Sequence, residues 1–394
     1  MMTDPGMSEE LRELRSRVRQ FVDEEVIPAE AALAADGPGG PLMRSLQASA
    51  KAQALWALGL PEEIGGGGLP FMPYVYVNEV IGRSEFAIEA LGTAQTQDSL
   101  MLHLFASPSQ RERFLLPLVN GDILPSVGMT EPEVAGSDPT QVRTTAHFDG
   151  EEWILNGHKW FTTGADRAAF TTVFARTDPE ADRYRQFSMI IVPTDTPGYE
   201  IVRVIPTMGS TSGHHCEIRL TNVRVPAENL LGDRGDGFVI AQKRLGPGRI
   251  FHCMRWLGQA QRAFELMCAH ALRRQAFGSP LAEKGAVQTF IADSAAEIQA
   301  TRLMTLDAAR ALDAGREARV EISLIKFYGA QMLHNVIDRA IQVHGALGVS
   351  ADTPLEKMYR DARYGRIYDG PDEVHRMVVA QRLLRDYARG APWS

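Results

Sequence analysis

The residue types that most often carry chemistry are thinly spread along this sequence. His214, His215 and Cys216 are adjacent at the start of an apparent strand, where neighbouring side chains point to opposite faces, so they are not expected to share a metal ion. The 3 cysteines form no C-x-x-C pair, and their odd number argues against a disulfide framework. No G-x-S-x-G nucleophile motif occurs. The sequence therefore predicts no metal site and no serine-hydrolase chemistry.

An acidic segment near the C-terminus, RIYDGPDEVHR over 366–376, puts Asp369 in front of Gly370 and Pro371. One interpretation is structural, because Asp is a favoured helix cap and Pro is tolerated in the first turn of a helix. The two acids that follow the proline could cap the helix equally well. The pattern therefore leaves open whether the Asp369 carboxylate has a chemical role.

Charge is distributed unevenly along the chain. The net charge of −8 argues against wholesale binding of nucleic acid. Residues 236–394 nevertheless carry 22 Lys and Arg against 17 Asp and Glu. A basic C-terminal part suits an anionic ligand of modest size, such as a phosphate-bearing cofactor, although solvated helix faces explain most of these arginines equally well.

Three segments of different periodicity must position these residues. Residues 1–125 are predicted to be helical, with Ser8 as the cap of the first helix. Residues 126–235 alternate β-branched and aromatic runs with turn signals, and Asp149-Gly150 predicts a hairpin, so we expect an antiparallel β domain, either barrel or sandwich. Residues 236–394 return to a helical period with four long helices, which predicts a bundle. The predicted fold class is α+β, with three domains in this order.

The distribution of apolar residues along the chain does not suggest a membrane protein. No apolar run approaches the roughly 18 residues that a membrane helix needs. The N-terminus is rich in arginine and in acids and lacks the apolar core of a secretory signal. We therefore expect a cytoplasmic protein with no membrane insertion.

Four stretches, read together, resemble the acyl-CoA dehydrogenase flavoprotein family. They are GMTEPEVAGSD (128–138), NGHKWFTTG (156–164), RQAFGSPL (274–281) and QVHGALGVSADTPLEKMYRDARYGRIYDG (342–370). The resemblance covers about residues 8–389, and the order of the motifs agrees with the predicted order of domains. In this family the middle domain is a β-barrel and the C-terminal domain is a four-helix bundle.

The resemblance implies that FAD is held between the β domain and the bundle, with the bundle of a neighbouring subunit completing the site. It therefore implies a homo-oligomer, either a dimer or a dimer of dimers. Arginine forks suit phosphates, and glycine lets a backbone approach them closely. The residues that match FAD contacts of the family are Met129, Thr130, Phe161, Thr163, Arg274, Phe277, Gln342, Gly345, Ala346, Pro371 and Asp372.

The resemblance also assigns the reaction. Desaturation of an acyl thioester needs a carboxylate for the α-proton, and Asp369 stands where that base is expected. Some members carry the base at another point, which falls near Gly248 in this sequence and has no side chain. Ser137, Arg249 and Gly370 match positions near the bound acyl-CoA.

The sequence departs from the usual family pattern in several places. Aspartate replaces the usual catalytic glutamate at 369, and Phe161 replaces the usual tryptophan. The stretch MGSTSGHHCEI lacks the usual arginine of the G-x-R-x-S pattern, and the TEPEVAGSD loop is one residue longer than usual. Together these differences resemble the branch of acyl-CoA dehydrogenase family members ten and eleven.

The resemblance implies an FAD-dependent acyl-CoA dehydrogenase that passes electrons to an electron-transfer flavoprotein. A shorter acid at 369 raises the expectation of a branched, long or hydroxylated acyl chain, because a displacement of ~1 Å can cost ~100-fold in rate. One alternative is a flavoenzyme similar to nitroalkane oxidase, which also uses aspartate as its base. Another is a DNA-associated relative that does not take part in β-oxidation, which the modest basic excess permits and the acidic remainder opposes.

Overall fold

The computed structural model describes residues 7–37, 39–208 and 214–391. The chain divides into two compact units. The helical unit comprises the residues up to Gly59, Leu69–Thr93 and the residues from Pro247 onward. The sheet unit comprises Leu60–Gly68 and Ala94–Gly246. The part of MGSTSGHHCEI in which the family arginine is missing, 209–213, lies outside the described residues.

The N-terminal part of the helical unit is built from five helices. Ser8 caps the first of them as predicted, because its side chain accepts a hydrogen bond of 3.2 Å from the Leu11 backbone N–H. Leu11, Val18 and Phe21 form the buried face of that helix. The helices are α1 (Glu9–Phe21), α2 (Glu30–Asp36), α3 (Pro41–Ala52), α4 (Phe71–Ile81) and α5 (Ala87–Ala90).

Among its described residues, the sheet unit contains three α-helices followed by eight strands. The helices are α6 (Thr96–Phe105), α7 (Pro108–Gln110) and α8 (Leu116–Asn120). The strands are β1 (Pro125–Gly128), β2 (Thr145–Phe148), β3 (Glu152–Thr163), β4 (Phe170–Arg176), β5 (Phe187–Pro193), β6 (Tyr199–Val204), β7 (His215–Pro226) and β8 (Leu230–Leu231).

The strands form one sheet in the order β6-β7-β3-β2-β4-β5-β8, with β1 paired to β4. Most neighbours are antiparallel, as predicted, but β1 and β2 each pair with β4 in parallel. The antiparallel pairing expected from the sequence therefore holds for most strand pairs and is wrong for these two. The reason is that β1 enters the sheet directly from α8, so no tight hairpin turn dictates its direction.

The Asp149-Gly150 signal forms the predicted hairpin. β2 pairs antiparallel with β3 across it, and Gly150 has φ of 113°, a value that glycine adopts readily. The Asp149 carboxylate accepts hydrogen bonds from the backbone N–H groups of Glu151 and Glu152. The turn thus fixes the register of β3, the strand that carries NGHKWFTTG.

The remaining helices, from Pro247 of α9 onward, form the bundle part of the helical unit, and a two-stranded hairpin interrupts them. α11 packs against α10, α12 and α13, and Ile325, Leu333 and Val336 are among its buried residues. The elements are α9 (Gly237–Arg273), β9 (Gln275–Ala276), β10 (Ser279–Pro280), α10 (Gly285–Asp313), α11 (Arg319–His344), α12 (Leu355–Ala362) and α13 (Asp372–Ala388).

The α+β class is confirmed, with helices first, a sheet in the middle and long helices last. The three-domain division at 125/126 and 235/236 stays a prediction. Among the described residues, no helix is both long enough and apolar enough to cross a membrane. In the same part of the chain, no group of three or more His, Cys, Asp or Glu residues could hold a metal ion.

Candidate active site

A strained turn precedes α13 and carries the carboxylate of Asp369. Asp369 has φ of 54° and Gly370 has φ of 99°, so two successive residues adopt left-handed conformations. Asp tolerates this region better than most residues, but such strain persists only where surrounding contacts enforce it. The N-cap of α13 is Pro371, with no side-chain capping bond. The interpretation of Asp369 as a mere helix cap is therefore wrong.

Backbone carbonyls of this turn are held from three elements. Arg249 Nε on α9 donates to the carbonyl of Asp369 at 3.0 Å, and His375 Nε2 on α13 lies 3.1 Å from the same oxygen. Lys326 Nζ on α11 donates to the carbonyl of Gly370 at 3.3 Å. These bonds fix the backbone on which the short side chain of Asp369 is mounted.

Lys326 is fully buried and clamps the segment before the turn as well. Its Nζ donates to the Gly365 carbonyl at 2.7 Å and lies 5.2 Å and 5.3 Å from the ring centroids of Trp256 and Tyr368. Burial lowers the pKa of Lys326 from its ordinary value. Because its partners are carbonyls and aromatic faces, the ammonium is solvated by the protein without a direct ion pair.

The Asp369 carboxylate is directed towards α9. His252 Nε2 lies 3.1 Å from Asp369 Oδ2, and about a fifth of each side chain is exposed. Burial lowers the pKa of Arg249, opposed by the charge of Asp369. The structure thus brings Asp369, Gly370 and Arg249 together, as the sequence predicted.

Asp372 is the first residue of α13, directly after this turn and Pro371, and it is almost fully buried. Its Oδ2 accepts from Arg366 Nε at 2.8 Å and lies 3.6 Å from an Arg376 nitrogen. Oδ1 of the same carboxylate is buried without a hydrogen-bond partner, so one acceptor remains for a ligand group. The predicted FAD contact of Asp372 stays a prediction.

His375 supports the turn in its neutral form. Burial, with Arg249 and Lys326 nearby, lowers the pKa of His375 from 6.5 to about 4. Its Nε2 donates to the Asp369 carbonyl, which fixes the tautomer and leaves Nδ1 buried without a partner. A Cβ at Gly370 would come within 2.7 Å of His375 Nε2, so ring and turn are in close contact.

Acid is expected to destabilise the protein through His375. The folded pKa is below the unfolded value, so the unfolded chain binds the proton first and the contribution is lost as pH falls from 6.5 towards 4. Between pH 8 and pH 4, the free energy of unfolding of His375→Gln is expected to fall by about 3 kcal/mol less than that of wild type. Urea unfolding of both proteins between pH 8 and pH 4 measures the difference. Parallel stability curves across that range would show that His375 is protonated normally in the folded state.

A second group of predicted residues lies in the sheet unit and is organised by a buried ion pair. Lys159 Nζ on β3 lies 2.9 Å from Glu131 Oε1 and donates to the Met129 carbonyl at 2.9 Å. Glu131 also accepts from the backbone N–H groups of Arg143 and Thr144. The ion pair connects the loop after β1 to β3. The backbone N–H of Trp160 also donates to the Thr130 carbonyl at 3.0 Å.

The pKa values of this pair reflect burial opposed by partners. Burial lowers the pKa of Lys159 to about 8, with Glu131 acting in the opposite direction. Burial would raise the pKa of Glu131, but Lys159 and the hydrogen bonds from Thr144 and Arg143 outweigh it and lower the pKa. Both groups are therefore interpreted as charged at neutral pH.

Phe161 stands on an irregularity of β3. The register of β3 against β7 shifts between Lys159 and Thr162, and Phe161 has φ of 48°. Its ring is 45% exposed and contacts the rings of Trp160 and His215. Bulges of this kind re-aim side chains. An exposed aromatic ring on strained backbone suits a planar ligand better than a core position.

Two further predicted residues lie around this ring. The Thr163 hydroxyl is 2.9 Å from His215 Nδ1. Ser137 is exposed in the loop after Glu131, and that loop passes close to Thr130, since a Cβ at Gly136 would come within 2.9 Å of the Thr130 methyl carbon. The structure therefore brings the two predicted threonines and Met129 to one region of the sheet unit with Phe161.

A third predicted group lies at one end of the helical unit. His270 on α9 and His344 on α11 stack with ring centroids 4.2 Å apart, which places the exposed side chains of Arg274 and Gln342 at the same end. Gly345 has φ of 62°, and a Cβ there would meet nothing within 4 Å. Ala346 beside it is also exposed.

Phe277 forms the tip of the β9–β10 hairpin. Its side chain is 100% exposed and its φ is 50°, followed by Gly278 at 79°. Because this ring is fully exposed, it is not part of the hydrophobic core, and an exposed apolar ring of this kind is typical of a binding surface. The position fits the predicted role of contacting FAD across a subunit interface, which stays a prediction.

Four residues that surround the turn were not predicted from the sequence. His252 and Arg255 follow Arg249 at intervals of three on α9, so helical spacing could have indicated a shared face. Lys326 is a lone cation on the apolar stripe of α11, and His375 belongs to the acidic segment itself. Of the side chains on α9 and α11 around this turn, only Arg249 was predicted from the sequence, by its resemblance to a family position near the acyl-CoA.

Comparison with known proteins matches three successive segments of the chain to three domains of one protein family. Residues 8–122 match the profile described as the acyl-CoA dehydrogenase N-terminal domain. Residues 126–223 match the middle domain, and residues 235–384 match the C-terminal domain of the same family.

Individual relatives agree with these profiles. The protein named probable acyl-CoA dehydrogenase FadE2 of Mycobacterium tuberculosis is 46% identical over 97% of each chain. Acyl-CoA dehydrogenase family member 11 of Mus musculus is 41% identical, and this chain covers 51% of its length. A solved structure of a Mycobacterium abscessus protein assigned as an acyl-CoA dehydrogenase has a TM-score of 0.91 at 41% identity, covering 96% of this chain and 99% of that one.

Proposed function

Because the chain belongs to the acyl-CoA dehydrogenase family, we propose that it is an FAD-dependent oxidoreductase that introduces an α,β double bond into an acyl-CoA thioester. The resemblance inferred from the four sequence motifs is confirmed at the level of the family. Its similarity to family member 11 supports the more specific branch assignment. The chain spans about half of that mouse relative, so the activity of the longer protein is not transferred to it.

The observation that carries the proposal is the construction of the Asp369 turn. A carboxylate is mounted on a backbone in left-handed conformation, and three side chains from separate helices hold the carbonyls of that turn. Asp369 takes the α-proton, and the electron pair of the broken C–H bond stays on the thioester as an enolate. Rigid mounting compensates for the short side chain, because a positioned base contributes typically ~100-fold or more.

FAD is the cofactor of the family, and the exposed residues described above fit it. Phe161 offers a ring, Thr163 a hydroxyl, and Arg274 a guanidinium fork of the kind that binds phosphate. Bound at these residues, FAD would supply the acceptor for the hydride from the β-carbon. We propose that the residues that hold it are Met129, Thr130, Phe161, Thr163, Arg274, Phe277, Gln342, Gly345, Ala346, Pro371 and Asp372.

Substrate and partners follow from the same assignment. Arg249 and Gly370 adjoin Asp369, and the exposed Ser137 offers a hydroxyl to a phosphate of the CoA or the FAD. Arg274 and the fully exposed Phe277 would serve the FAD of a second copy, so we propose a homo-oligomer. Electrons would pass to an electron-transfer flavoprotein.

A panel of acyl-CoA thioesters tests the proposal. Under anaerobic conditions, at least one thioester of straight, branched or hydroxylated chain is expected to bleach the visible flavin absorbance and to lose two hydrogen atoms. Nitroalkanes serve as the comparison. Bleaching by nitroalkanes alone, with hydrogen peroxide formed in air, would replace the proposal with the nitroalkane-oxidase alternative.

Arg274→Ala is expected to weaken FAD binding while the protein stays folded. A hydrogen bond to a charged group contributes about 1.5–3 kcal/mol, which corresponds to a dissociation constant roughly 10- to 150-fold higher. Titration of apoprotein with FAD, followed by flavin fluorescence, measures it. Arg273→Ala is the matched control, because Arg273 is also exposed and its Nε donates to the Ala269 carbonyl within its own helix. Equal FAD affinity of the two variants would contradict the role of Arg274.

A further inference from the structure

His252 is a polar residue of the Asp369 neighbourhood to which the proposed reaction assigns no role. It lies on α9, one helical turn after Arg249, and its Nε2 is 3.1 Å from Asp369 Oδ2. Arg249, Lys326 and His375 contact the backbone carbonyls of the turn instead. His252 therefore contacts the carboxylate that is the proposed base, whereas the other three side chains hold the backbone of the turn.

The tautomer of His252 follows from its other ring nitrogen. An Arg255 terminal nitrogen lies 2.8 Å from His252 Nδ1. A guanidinium has only donors and stays charged, so Nδ1 must be the acceptor. The ring proton is therefore on Nε2, which faces Asp369. Burial and the charge of Arg255 lower the pKa of His252, which favours the same neutral form.

Aromatic neighbours restrict the orientation of this ring. His252 stacks on Trp256 at an interplanar angle of 25° and packs against Tyr368 with centroids 5.0 Å apart. Trp256 Nε1 in turn donates to the Tyr368 hydroxyl at 3.0 Å. Rotation of the imidazole would break the Arg255 bond and this packing together, so the Nε2 edge of the ring is held close to the carboxylate.

We infer that His252 is a positioning residue for Asp369: its neutral Nε2–H edge lies 3.1 Å from Oδ2 and holds the carboxylate in the orientation in which it takes the α-proton. The inference rests on the proposed function. In the step, the α C–H bond breaks, the proton moves to the Asp369 carboxylate, and the electron pair stays on the thioester. His252 keeps its proton throughout and is neutral before and after.

A neutral donor suits this task better than a cation. A positively charged partner stabilises a carboxylate strongly and weakens it as a base, whereas a neutral hydrogen bond orients it at a smaller cost. Two cations next to this site, Arg249 on α9 and Lys326 on α11, donate to backbone carbonyls instead. His252 can therefore orient the Asp369 carboxylate without neutralising its negative charge.

The test uses an acyl-CoA analogue with sulfur in place of the β-carbon, in which hydride transfer is blocked and only α-proton exchange with deuterated water remains. With FAD bound, His252→Phe is expected to exchange about 10- to 100-fold more slowly than wild type, with analogue affinity and FAD content unchanged. His252→Gln, whose amide N–H can replace Nε2, should recover most of the rate. Exchange at the wild-type rate by the Phe variant would overturn the inference, as would a Gln variant equally slow.

Two further readings separate this inference from the proposed function. Absence of exchange in wild type, or full exchange in Asp369→Asn, would refute the base assignment and the role of His252 with it. Loss of exchange in Asp369→Asn but not in His252→Phe would overturn His252 alone. Nitrogen NMR of histidine-labelled protein reads the tautomer without turnover: we expect a neutral Nε2–H ring at neutral pH, and an Nδ1–H or cationic ring would contradict the inference.

Discussion

Asp369→Asn is expected to fold, to retain FAD and to bind acyl-CoA, yet to lose at least ~100-fold in the rate of flavin reduction. Asn has the same shape as Asp and tolerates the left-handed conformation of this position, where φ is 54°. The bonds from Arg249 and His375 go to the backbone carbonyl, so the substitution leaves them in place. Only the proton acceptor is removed. Stopped-flow absorbance under anaerobic conditions measures the rate.

Glu373→Gln is the matched control, because Glu373 is an exposed carboxylate a few residues further along the same segment. It should reduce flavin at the wild-type rate. A rate for Asp369→Asn within about threefold of wild type would show that another group is the base, since positioned general-base catalysis contributes much more. Asp369→Glu is expected to be slow on the native substrate too, because the longer acid does not fit the fixed turn and the His252 contact together.

Glu131→Gln is expected to lower the free energy of unfolding by roughly 3–5 kcal/mol. The substitution leaves the fully buried ammonium of Lys159 without its counter-charge. It also weakens acceptance from the backbone N–H groups of Arg143 and Thr144. Urea unfolding of the holoprotein at neutral pH measures the loss. Because the pair anchors the loop that contains Met129 and Thr130, FAD affinity should fall as well.

The double variant Lys159→Met/Glu131→Gln distinguishes a charge effect from a packing effect. Removing both charges should restore part of the stability that Glu131→Gln loses, because an apolar side chain then fills the space of the uncompensated ammonium. If the destabilisations caused by Glu131→Gln and Lys159→Met simply added in the double variant, the ion-pair account would be contradicted. A loss below about 1 kcal/mol in the single variant would contradict it as well.

Features set by local chemistry were predictable from the sequence. Ser8 caps its helix and Asp149-Gly150 turns its hairpin because each depends on residues within a few positions. The long helices of the bundle follow from periodicity alone. The family motifs then identified Asp369, Phe161 and Arg274, whose roles stay predictions.

Features set by distant residues were not predictable. Lys159 and Glu131 are 28 residues apart, and nothing local indicates that they meet in the interior. The parallel pairing of β1 with β4 likewise depends on how separate segments pack. Whether Asp369 caps a helix could be decided only when α13 was found to begin at Asp372, with Pro371 as its N-cap. His252 was overlooked because its partner, Asp369, is far away along the chain.

The central claim, α,β-desaturation of an acyl-CoA thioester, is tested most directly by the fate of deuterium in a single anaerobic turnover. A thioester from the active panel is deuterated at the α-carbon in one sample and at the β-carbon in another, and the product is examined by mass spectrometry. The account predicts that each sample loses one deuterium and yields the 2-enoyl thioester. Complete retention at the α-carbon, or bleaching of the flavin with no change in thioester mass, would contradict it.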